Sequence, residues 1–276
     1  MGERPRWVTL YDPRVPYARA SDDTALYYEV HGDGEQTLLL LPGQSNGHHW
    51  WNSARPDFDS VFRTVVLDYR GIGDSDKPDT DSYSTKGFAL DALAVLDDVG
   101  AERVHVYGTS MGGRVAQWLA AEHAERVDRL VLGCTSPGSP HGIERGENVR
   151  RALGQRDARA ARHALLELMY TPEWMAANPG PYNTIGVRGT PSHVLRRHRR
   201  ASAEHDSWDA LPSITAPTLV VHGTDDVFNP TENAPLLAKR IPGARMELIA
   251  GARHAYFEEF RSVASPLVLD FLTEVS

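Results

Sequence analysis

Residues 104–113 read V-H-V-Y-G-T-S-M-G-G, and this stretch decides the fold. Its first four residues form a short apolar run typical of a buried strand, and a helical pattern follows at 114–123. Between them the chain matches G-x-S-x-G, the pattern of a sharp strand-to-helix turn that holds a serine clear of the sheet. Gly108 and Gly112 are small because a side chain at either position would collide with the neighbouring strand or helix. We therefore predict Ser110 as a nucleophile.

Strands and helices alternate on both sides of this turn. Apolar runs predict strands at 25–30, 37–41, 64–67, 104–107, 130–132, 218–221 and 246–249. Helical patterns occupy 85–99, 114–123, 232–241 and 260–272. Short apolar strands separated by helices are typical of a sheet covered on both faces. The fold class predicted is α/β, with a doubly wound and mainly parallel sheet.

The alternation is interrupted in the middle of the chain. Residues 137–212 contain helical stretches and turns but no convincing strand pattern. We predict a helical lid, or cap, at 137–212, inserted into a core made of residues 20–136 and 213–276. Several apolar side chains of the lid are candidates for its own packing or for the wall of a substrate pocket: Met169, Tyr170 and Trp174.

A serine hydroxyl is a poor nucleophile at its normal pKa, so Ser110 needs a base, and the base needs an acid that orients it. His254 follows the last predicted strand, where a parallel sheet places its site. Two adjacent carboxylates, Asp225 and Asp226, follow the strand at 218–221. The order serine, acid, histidine fits this fold. Asp226 is preferred because it stands four residues before the proline of its loop, and Asp225 stays the alternative.

Composition excludes several other classes of protein. Hydrophobic residues make up 41% of the chain and charged residues 24%, which predicts a folded core. The net charge of -8 argues against a nucleic-acid partner and against attraction to an anionic membrane.

Cys134 is the single cysteine and is interpreted as a small buried residue, so neither a disulfide nor a cysteine zinc site is expected. Residues 1–6 show no signal-peptide or myristoylation pattern, and the apolar run at 38–41 is too short to cross a bilayer. The simplest location is the cytoplasm.

Two further stretches invite a functional interpretation. Residues 193–200 are rich in Arg and His, and could contact nucleic acid or a substrate carboxylate, but a solvated face of a lid helix is favoured. Residues 48–51 read H-H-W-W. Adjacent histidines on a helix do not face one another, so packing is favoured over a metal site, with Trp50 or Trp51 a candidate for the pocket wall. Neither a metal nor a cofactor is predicted.

The loop at 70–78 reads R-G-I-G-D-S-D-K-P, which is similar to the R-G-x-G-x-S-x-x-P loop of the α/β-hydrolase superfamily. Together with the serine turn, it makes most of the chain outside the lid resemble that superfamily. Within it the chain resembles small bacterial esterases and lactonases of the 3-oxoadipate enol-lactonase type, and cofactor-free haloperoxidases or perhydrolases. Ser110 argues against epoxide hydrolases and haloalkane dehalogenases, which carry aspartate at the nucleophile position.

The resemblance also implies where an oxyanion would bind. By position, the backbone N–H groups of Gln44 and Met111 would be the two donors. The loop after the strand at 37–41 usually reads His-Gly in this superfamily, whereas here it reads Pro42-Gly43. Proline has no N–H to donate, so this departure puts the first donor in doubt.

The expected activity is hydrolysis of the ester or lactone bond of a small, partly apolar molecule. Carbon–carbon bond hydrolysis, thioester hydrolysis and peracid formation use the same three residues and stay open. An alternative of another class is a non-catalytic, ligand-binding protein that keeps the pocket, and a purely structural protein would not explain why the motifs coincide. The oligomeric state is not predicted.

Overall fold

A twisted, eight-stranded sheet forms the centre of the protein. The computed structural model describes residues 17–81 and 83–274, so the prediction that 1–6 carry no targeting signal lies outside the described residues. The strands are β1 (Tyr17–Arg19), β2 (Ala25–His31), β3 (Thr37–Leu41), β4 (Arg63–Leu67), β5 (Val104–Thr109), β6 (Val127–Gly133), β7 (Thr218–Gly223) and β8 (Arg245–Ile249). Their spatial order is β1-β2-β4-β3-β5-β6-β7-β8. The pairs β1–β2 and β2–β4 are antiparallel and the other pairs are parallel, which confirms the predicted fold class.

Ten α-helices are present in the described ranges. They are α1 (Arg55–Asp59), α2 (Thr85–Val99), α3 (Met111–Glu122), α4 (Glu147–Leu153), α5 (Ala158–Met169), α6 (Pro172–Ala177), α7 (Ser192–Ala203), α8 (Asn233–Arg240), α9 (Tyr256–Glu259) and α10 (Arg261–Thr273). Short 3₁₀ turns lie at His48–Trp51, Ala124–Arg126 and Leu211–Ser213. No helix of residues 17–81 and 83–274 is both long and apolar enough to cross a membrane.

Local chemistry explains the ends of α2. The side chain of Ser84 accepts a hydrogen bond from the N–H of Gly87 at 2.9 Å and so caps the first turn. Gly100 adopts a left-handed conformation with φ of 71° and ends the helix. Both ends agree with the sequence pattern.

The buried strands present different side chains to the two faces of the sheet. In β3, Leu39 and Leu41 pack into the cluster that holds α2, α3 and α8, whereas Leu38 and Leu40 pack on the opposite side with α10. All four leucines are fully buried. A wholly apolar strand is thus explained by helices on both faces.

The segment between β6 and β7, residues 134–217, contains α4 to α7 and is called the insertion below. A bridge between Gly138 and Asp206 joins its two ends, and the N–H of Ser139 donates to the carbonyl oxygen of His205 at 3.1 Å. On α7, Nε2 of His198 donates to the carbonyl oxygen of Arg70 at 3.0 Å. The insertion is therefore joined at its ends and attached to the loop after β4.

Some elements differ from the sequence predictions. The short strand β1 was not predicted, because three residues at a sheet edge carry too little pattern. Helix α3 begins at Met111 rather than at 114, although Gly112 and Gly113 are poor helix formers. Tertiary packing outweighs their propensity: a Cβ atom on Gly113 would lie 2.6 Å from Cβ of Thr135.

Candidate active site

Ser110 lies on the turn between β5 and α3 in a strained backbone conformation. Its φ of 56° and ψ of -122° fall in a region that non-glycine residues rarely adopt. Two hydrogen bonds hold the turn: the N–H of Ser110 donates to Gly133 at 2.9 Å, and the hydroxyl of Thr135 donates to the carbonyl oxygen of Ser110 at 2.7 Å. The surrounding chain thus fixes the strained backbone conformation of this serine.

The two flanking glycines allow this turn to close. A Cβ atom on Gly108 would overlap the carbonyl group of Gly112, and one on Gly112 would overlap the carbonyl oxygen of Leu41 in β3. The collisions are with backbone atoms, which cannot rotate away. The spacing of G-x-S-x-G therefore reflects the close approach of strand, turn and helix at this point.

His254 and Asp226 meet beyond the ends of β8 and β7. Nδ1 of His254 lies 2.7 Å from Oδ2 of Asp226, and both side chains are fully buried. The other carboxylate oxygen, Oδ1, accepts hydrogen bonds from the N–H groups of Phe228 and Asn229, each at 2.9 Å. Asp225 is exposed and accepts only from the neighbouring hydroxyl of Thr224 among the hydrogen bonds of the described residues. The structure places Asp226, and not Asp225, beside the imidazole.

Electrostatics determine the protonation of this pair. Burial alone would raise the pKa of Asp226, but the adjacent His254 and hydrogen bonds from His222 and His254 outweigh it and hold the pKa well below the usual range. Asp226 is therefore ionised at neutral pH and accepts the proton of Nδ1. That tautomer leaves the lone pair on Nε2 of His254, the atom that a general base needs.

Ser110 and His254 line the same cavity of about 610 Å³. Nε2 of His254 is buried and has no hydrogen-bond partner among the described residues, so no hydrogen bond joins it to Ser110. Catalytic hydrogen bonds are often long or poorly aligned before substrate binds. The serine hydroxyl has one rotatable bond, and a change of its rotamer is the least movement that could bring it to the imidazole.

Gln44 and Met111, the two predicted oxyanion donors, also line this cavity. Met111 is the first residue of α3, where a helix leaves its N–H without an intrahelical partner. The loop of Gln44 is braced from the insertion: the side chain of Asn46 donates to the carbonyl oxygen of Gln44 at 2.9 Å and accepts from the N–H of Gly186 at 2.8 Å. Although the loop begins with Pro42, Gln44 still lies at the cavity wall.

Two of the predicted pocket side chains, Trp50 and Met169, line the cavity. The indole of Trp50 stacks on Phe257 with centroids 5.1 Å apart, and its Nε1 donates to the hydroxyl of Thr109 at 2.8 Å. Met169 lies at the end of α5 and is almost completely buried. The insertion therefore contributes part of the cavity wall.

The other three pocket candidates, Trp51, Tyr170 and Trp174, do not line this cavity and take the packing role that was the alternative to a pocket wall. Adjacent residues of a 3₁₀ turn point in different directions, so Trp51 turns into the core and packs on Tyr107 at 4.9 Å. Tyr170 stacks on Trp174 at 4.3 Å and its hydroxyl donates to Glu258. These two rings fasten the insertion to the core.

The remaining candidates have structural environments. Burial raises the pKa of Cys134 well above its ordinary value, and nearby Asp226 adds to the effect, so its thiol is not activated. No cluster of three or more His, Cys, Asp or Glu side chains within 17–81 and 83–274 is arranged to hold a metal ion.

The basic run at residues 193–200 is not simply a solvated face of a helix. His198 is buried, Arg197 pairs with Asp79 at 2.6 Å, and Arg199 lines the cavity.

Sequence analysis missed many of the side chains that contact the site or line its cavity, and four of them matter for its chemistry. His222 reaches Asp226 from within β7, and the ring of Phe228 packs edge-on against His254 with centroids 4.7 Å apart. Arg114 and Arg145 line the cavity. Phe228 and His222 could have been noticed as near neighbours of the predicted acid. No signal in the sequence marks the two arginines, because their position depends on how the insertion packs.

Comparison with known proteins agrees with this geometry. Residues 36–176, about half of the chain, match the family described as alpha/beta hydrolase fold. This chain belongs to the α/β-hydrolase family. A relative from Caulobacter sp. (strain K31), named "Putative carbamate hydrolase RutD", is 32% identical over 258 residues, which are 90% of this chain and 96% of that protein.

Solved structures of α/β-hydrolases superpose along nearly the whole chain. The enol-lactonase from Burkholderia xenovorans LB400 has a TM-score of 0.81 at 27% identity and covers 94% of this chain and 100% of its own. Est816, described as an N-acyl homoserine lactone degrading enzyme, has a TM-score of 0.80 at 31% identity and covers 93% of this chain and 100% of its own. These related α/β-hydrolases are enzymes that act on small molecules, and this α/β-hydrolase is likewise a hydrolase.

Proposed function

We propose that this α/β-hydrolase cleaves a carboxylic ester or lactone through an acyl-enzyme on Ser110, with His254 as base and Asp226 as its orienting acid. The observation that carries the proposal is the geometry around His254. Its Nδ1 is held at 2.7 Å by an ionised Asp226, and its Nε2 is buried without a partner in the cavity that Ser110 lines. The similarity to two lactone-cleaving enzymes supports the same substrate class.

The chemical steps follow from this arrangement. His254 accepts the hydroxyl proton of Ser110 as the serine oxygen bonds to the carbonyl carbon, and the negative charge on the carbonyl oxygen is met by the N–H groups of Gln44 and Met111. The carbon–oxygen bond to the alcohol then breaks, and the alcohol leaves with the proton from His254. Water repeats the sequence: it gives a proton to His254 and its oxygen to the acyl carbon, and Ser110 leaves with that proton.

We also propose that residues 137–212 act as a cap over this site, and that they make the substrate partly apolar. Leu165 and Met169 on α5 and Leu195 on α7 line the cavity beside Trp50. The backbone of α5 also contacts the loop of His254, since the N–H of Ala255 donates to the carbonyl oxygen of Met169 at 2.9 Å. Turnover should rise along a series of 4-nitrophenyl esters from acetate to hexanoate, and a steady fall would contradict an apolar acyl site.

The decisive experiment replaces Ser110 with alanine. The turnover of 4-nitrophenyl butyrate should fall by roughly 10⁴ to 10⁶ if the three residues act as a unit. Cys134→Ala is the matched control, because it removes the single thiol of the sequence, which is buried close to the backbone of Ser110. It should keep activity within a few-fold of the original protein. Activity that survives in Ser110→Ala would exclude this mechanism.

A fluorophosphonate probe separates the enzyme from a non-catalytic binding protein. An activated serine should be labelled in the original protein and in Cys134→Ala, but not in Ser110→Ala. The same three proteins can then be tested on thioesters, on vinylogous 1,5-diketones cleaved at a carbon–carbon bond, and on acids with hydrogen peroxide. A substrate class turned over faster than every ester and lactone would replace the one proposed here.

A further inference from the structure

The cavity is lined by positive charge, whereas the net charge of the whole chain is negative. Four arginines line it, Arg114, Arg145, Arg150 and Arg199, against a single acidic residue, Glu144, whereas the net charge of the protein is -8. A cleft lined by one sign of charge concentrates ligands of the opposite sign. The candidate site is therefore electrostatically suited to an anion.

Most of this positive charge is not neutralised within residues 17–81 and 83–274. Glu144 pairs with Arg150 at 3.6 Å. Among residues 17–81 and 83–274, no carboxylate forms an ion pair with Arg114, Arg145 or Arg199. Arg114 donates instead to the hydroxyls of Ser202 at 3.0 Å and Ser136 at 2.9 Å, which are neutral acceptors. Three guanidinium groups thus face the cavity without an acidic partner in the described chain.

Arg145 is the one of these groups that is linked to the proposed base through a single side chain. Its guanidinium lies over the ring of Phe228, 4.1 Å from the centroid, and that ring packs edge-on against His254 at 4.7 Å. Desolvation by burial is the largest cause of a lowered pKa at Arg145. Glu144 and Asp226 attract this cation from a distance but form no ion pair with it, so a partly desolvated guanidinium stacked on Phe228 can accept an anionic partner.

We propose that the substrate carries a carboxylate in addition to the bond that is cleaved, and that Arg145 binds this carboxylate beside Phe228. The inference rests on the proposed function, since it places the scissile carbonyl at Ser110. Trp50, Leu165 and Met169 would contact the apolar part of the molecule between the two ends. A guanidinium suits this role because its planar donors match the two oxygens of a carboxylate.

Matched ester pairs that differ only in charge test this proposal. One pair is mono-4-nitrophenyl adipate and its methyl ester, which vary the acyl side. The other is 4-acetoxybenzoate and its methyl ester, which vary the alcohol side. In at least one pair the original protein should prefer the anion in kcat/KM, and Arg145→Gln should lose about tenfold or more of that preference. The loss should fall mainly on KM, and Arg145→Lys should restore part of it.

Arg151→Gln is the control for charge. Arg151 lies on α4 a few residues from Arg145, and its side chain is 78% exposed and pairs with Glu147 at 3.0 Å, outside the cavity. It should leave the preference unchanged. A far-UV circular dichroism spectrum and a thermal unfolding midpoint matching those of the original protein show that Arg145→Gln is folded. An unchanged preference in Arg145→Gln for both pairs would overturn the inference while leaving the serine mechanism intact.

Binding can be measured without any turnover. In Ser110→Ala, a change in the intrinsic tryptophan fluorescence, to which Trp50 at the cavity wall contributes, should report titration with monomethyl adipate and with neutral dimethyl adipate. The anion should bind more tightly, and Arg145→Gln added to Ser110→Ala should weaken its binding about tenfold without affecting the neutral ester. Equal affinities in both backgrounds would contradict the inference even if no ester is a substrate.

Discussion

Nε2 of His222 lies 3.2 Å from Oδ2 of Asp226, the same oxygen that accepts the proton of His254. The same ring nitrogen also lies 2.8 Å from the carbonyl oxygen of Asn229. Both neighbours are acceptors, so Nε2 of His222 carries a proton and donates. Asp226 thus accepts from His254 and from two backbone N–H groups, and the N–H of His222 lies close by at 3.2 Å, which explains how a fully buried carboxylate stays ionised.

His222→Phe should therefore lower kcat with little change in KM. The variant keeps a ring in the fully buried position but removes one donor to the carboxylate. A hydrogen bond to a charged group contributes roughly 1.5–3 kcal/mol, so a fall of about tenfold to a hundredfold is expected. Steady-state kinetics on one ester measures it. A kcat equal to that of the original protein would show that the other three donors suffice.

Asp226→Asn and Asp225→Asn form a matched pair with opposite expectations. Asparagine at 226 would leave His254 without the acceptor that fixes its tautomer, so kcat should fall by roughly 10⁴. Asparagine at 225 changes an exposed side chain that does not reach the imidazole, and kcat should stay within about twofold. Equal losses in the two variants would mean that the acid has been assigned to the wrong residue.

Local sequence was sufficient for the parts of the fold that local chemistry determines. The strand before Ser110, its flanking glycines and the capped helix α2 are all set by residues adjacent in sequence. The order of serine, acid and histidine led to the pair that the structure brings to 2.7 Å, Asp226 and His254. These features were predictable because each depends on a few neighbouring residues.

Features that depend on packing between distant segments were not predictable. Trp50 and Trp51 are adjacent and chemically identical, and only the direction of a 3₁₀ turn places one at the cavity and the other in the core. Arg145 lies in no recognisable motif, and its place over Phe228 follows from how the insertion packs on the core. The positions of Trp50, Trp51 and Arg145 depend on side-chain direction and on contacts between segments distant in sequence.

His198 should make the stability of the protein sensitive to acid. Desolvation by burial lowers its pKa to about 4 from the ordinary 6.5. As the pH falls, this histidine gains a proton in the unfolded chain at about pH 6.5 but in the folded protein only at about pH 4. The free energy of unfolding is therefore unaffected by His198 above pH 6.5 and decreases as the pH drops from about 6.5 to about 4. The loss assigned to this residue is on the order of 3 kcal/mol.

His198→Gln tests this dependence. Glutamine can still donate to the carbonyl oxygen of Arg70 but does not titrate. Urea denaturation at pH 7 and at pH 4.5 should therefore show a smaller loss of stability in the variant than in the original protein. Other buried histidines contribute equally to both proteins, so the difference between them isolates His198. Parallel losses would show that this imidazole does not titrate with unfolding.

Gly112→Ala should destabilise the fold even though alanine is the better helix former. The new methyl group would overlap the carbonyl oxygen of Leu41, so β3 and α3 would have to separate. Overpacking of this kind costs about 1–3 kcal/mol. Gly154→Ala is the control, because Gly154 is exposed with φ of -87° and its nearest neighbour would lie 3.2 Å from the added Cβ. Chemical denaturation should show a clear loss only for the first variant. If both variants unfold at the same denaturant concentration, the close approach of the serine turn to β3 is not what requires glycine there.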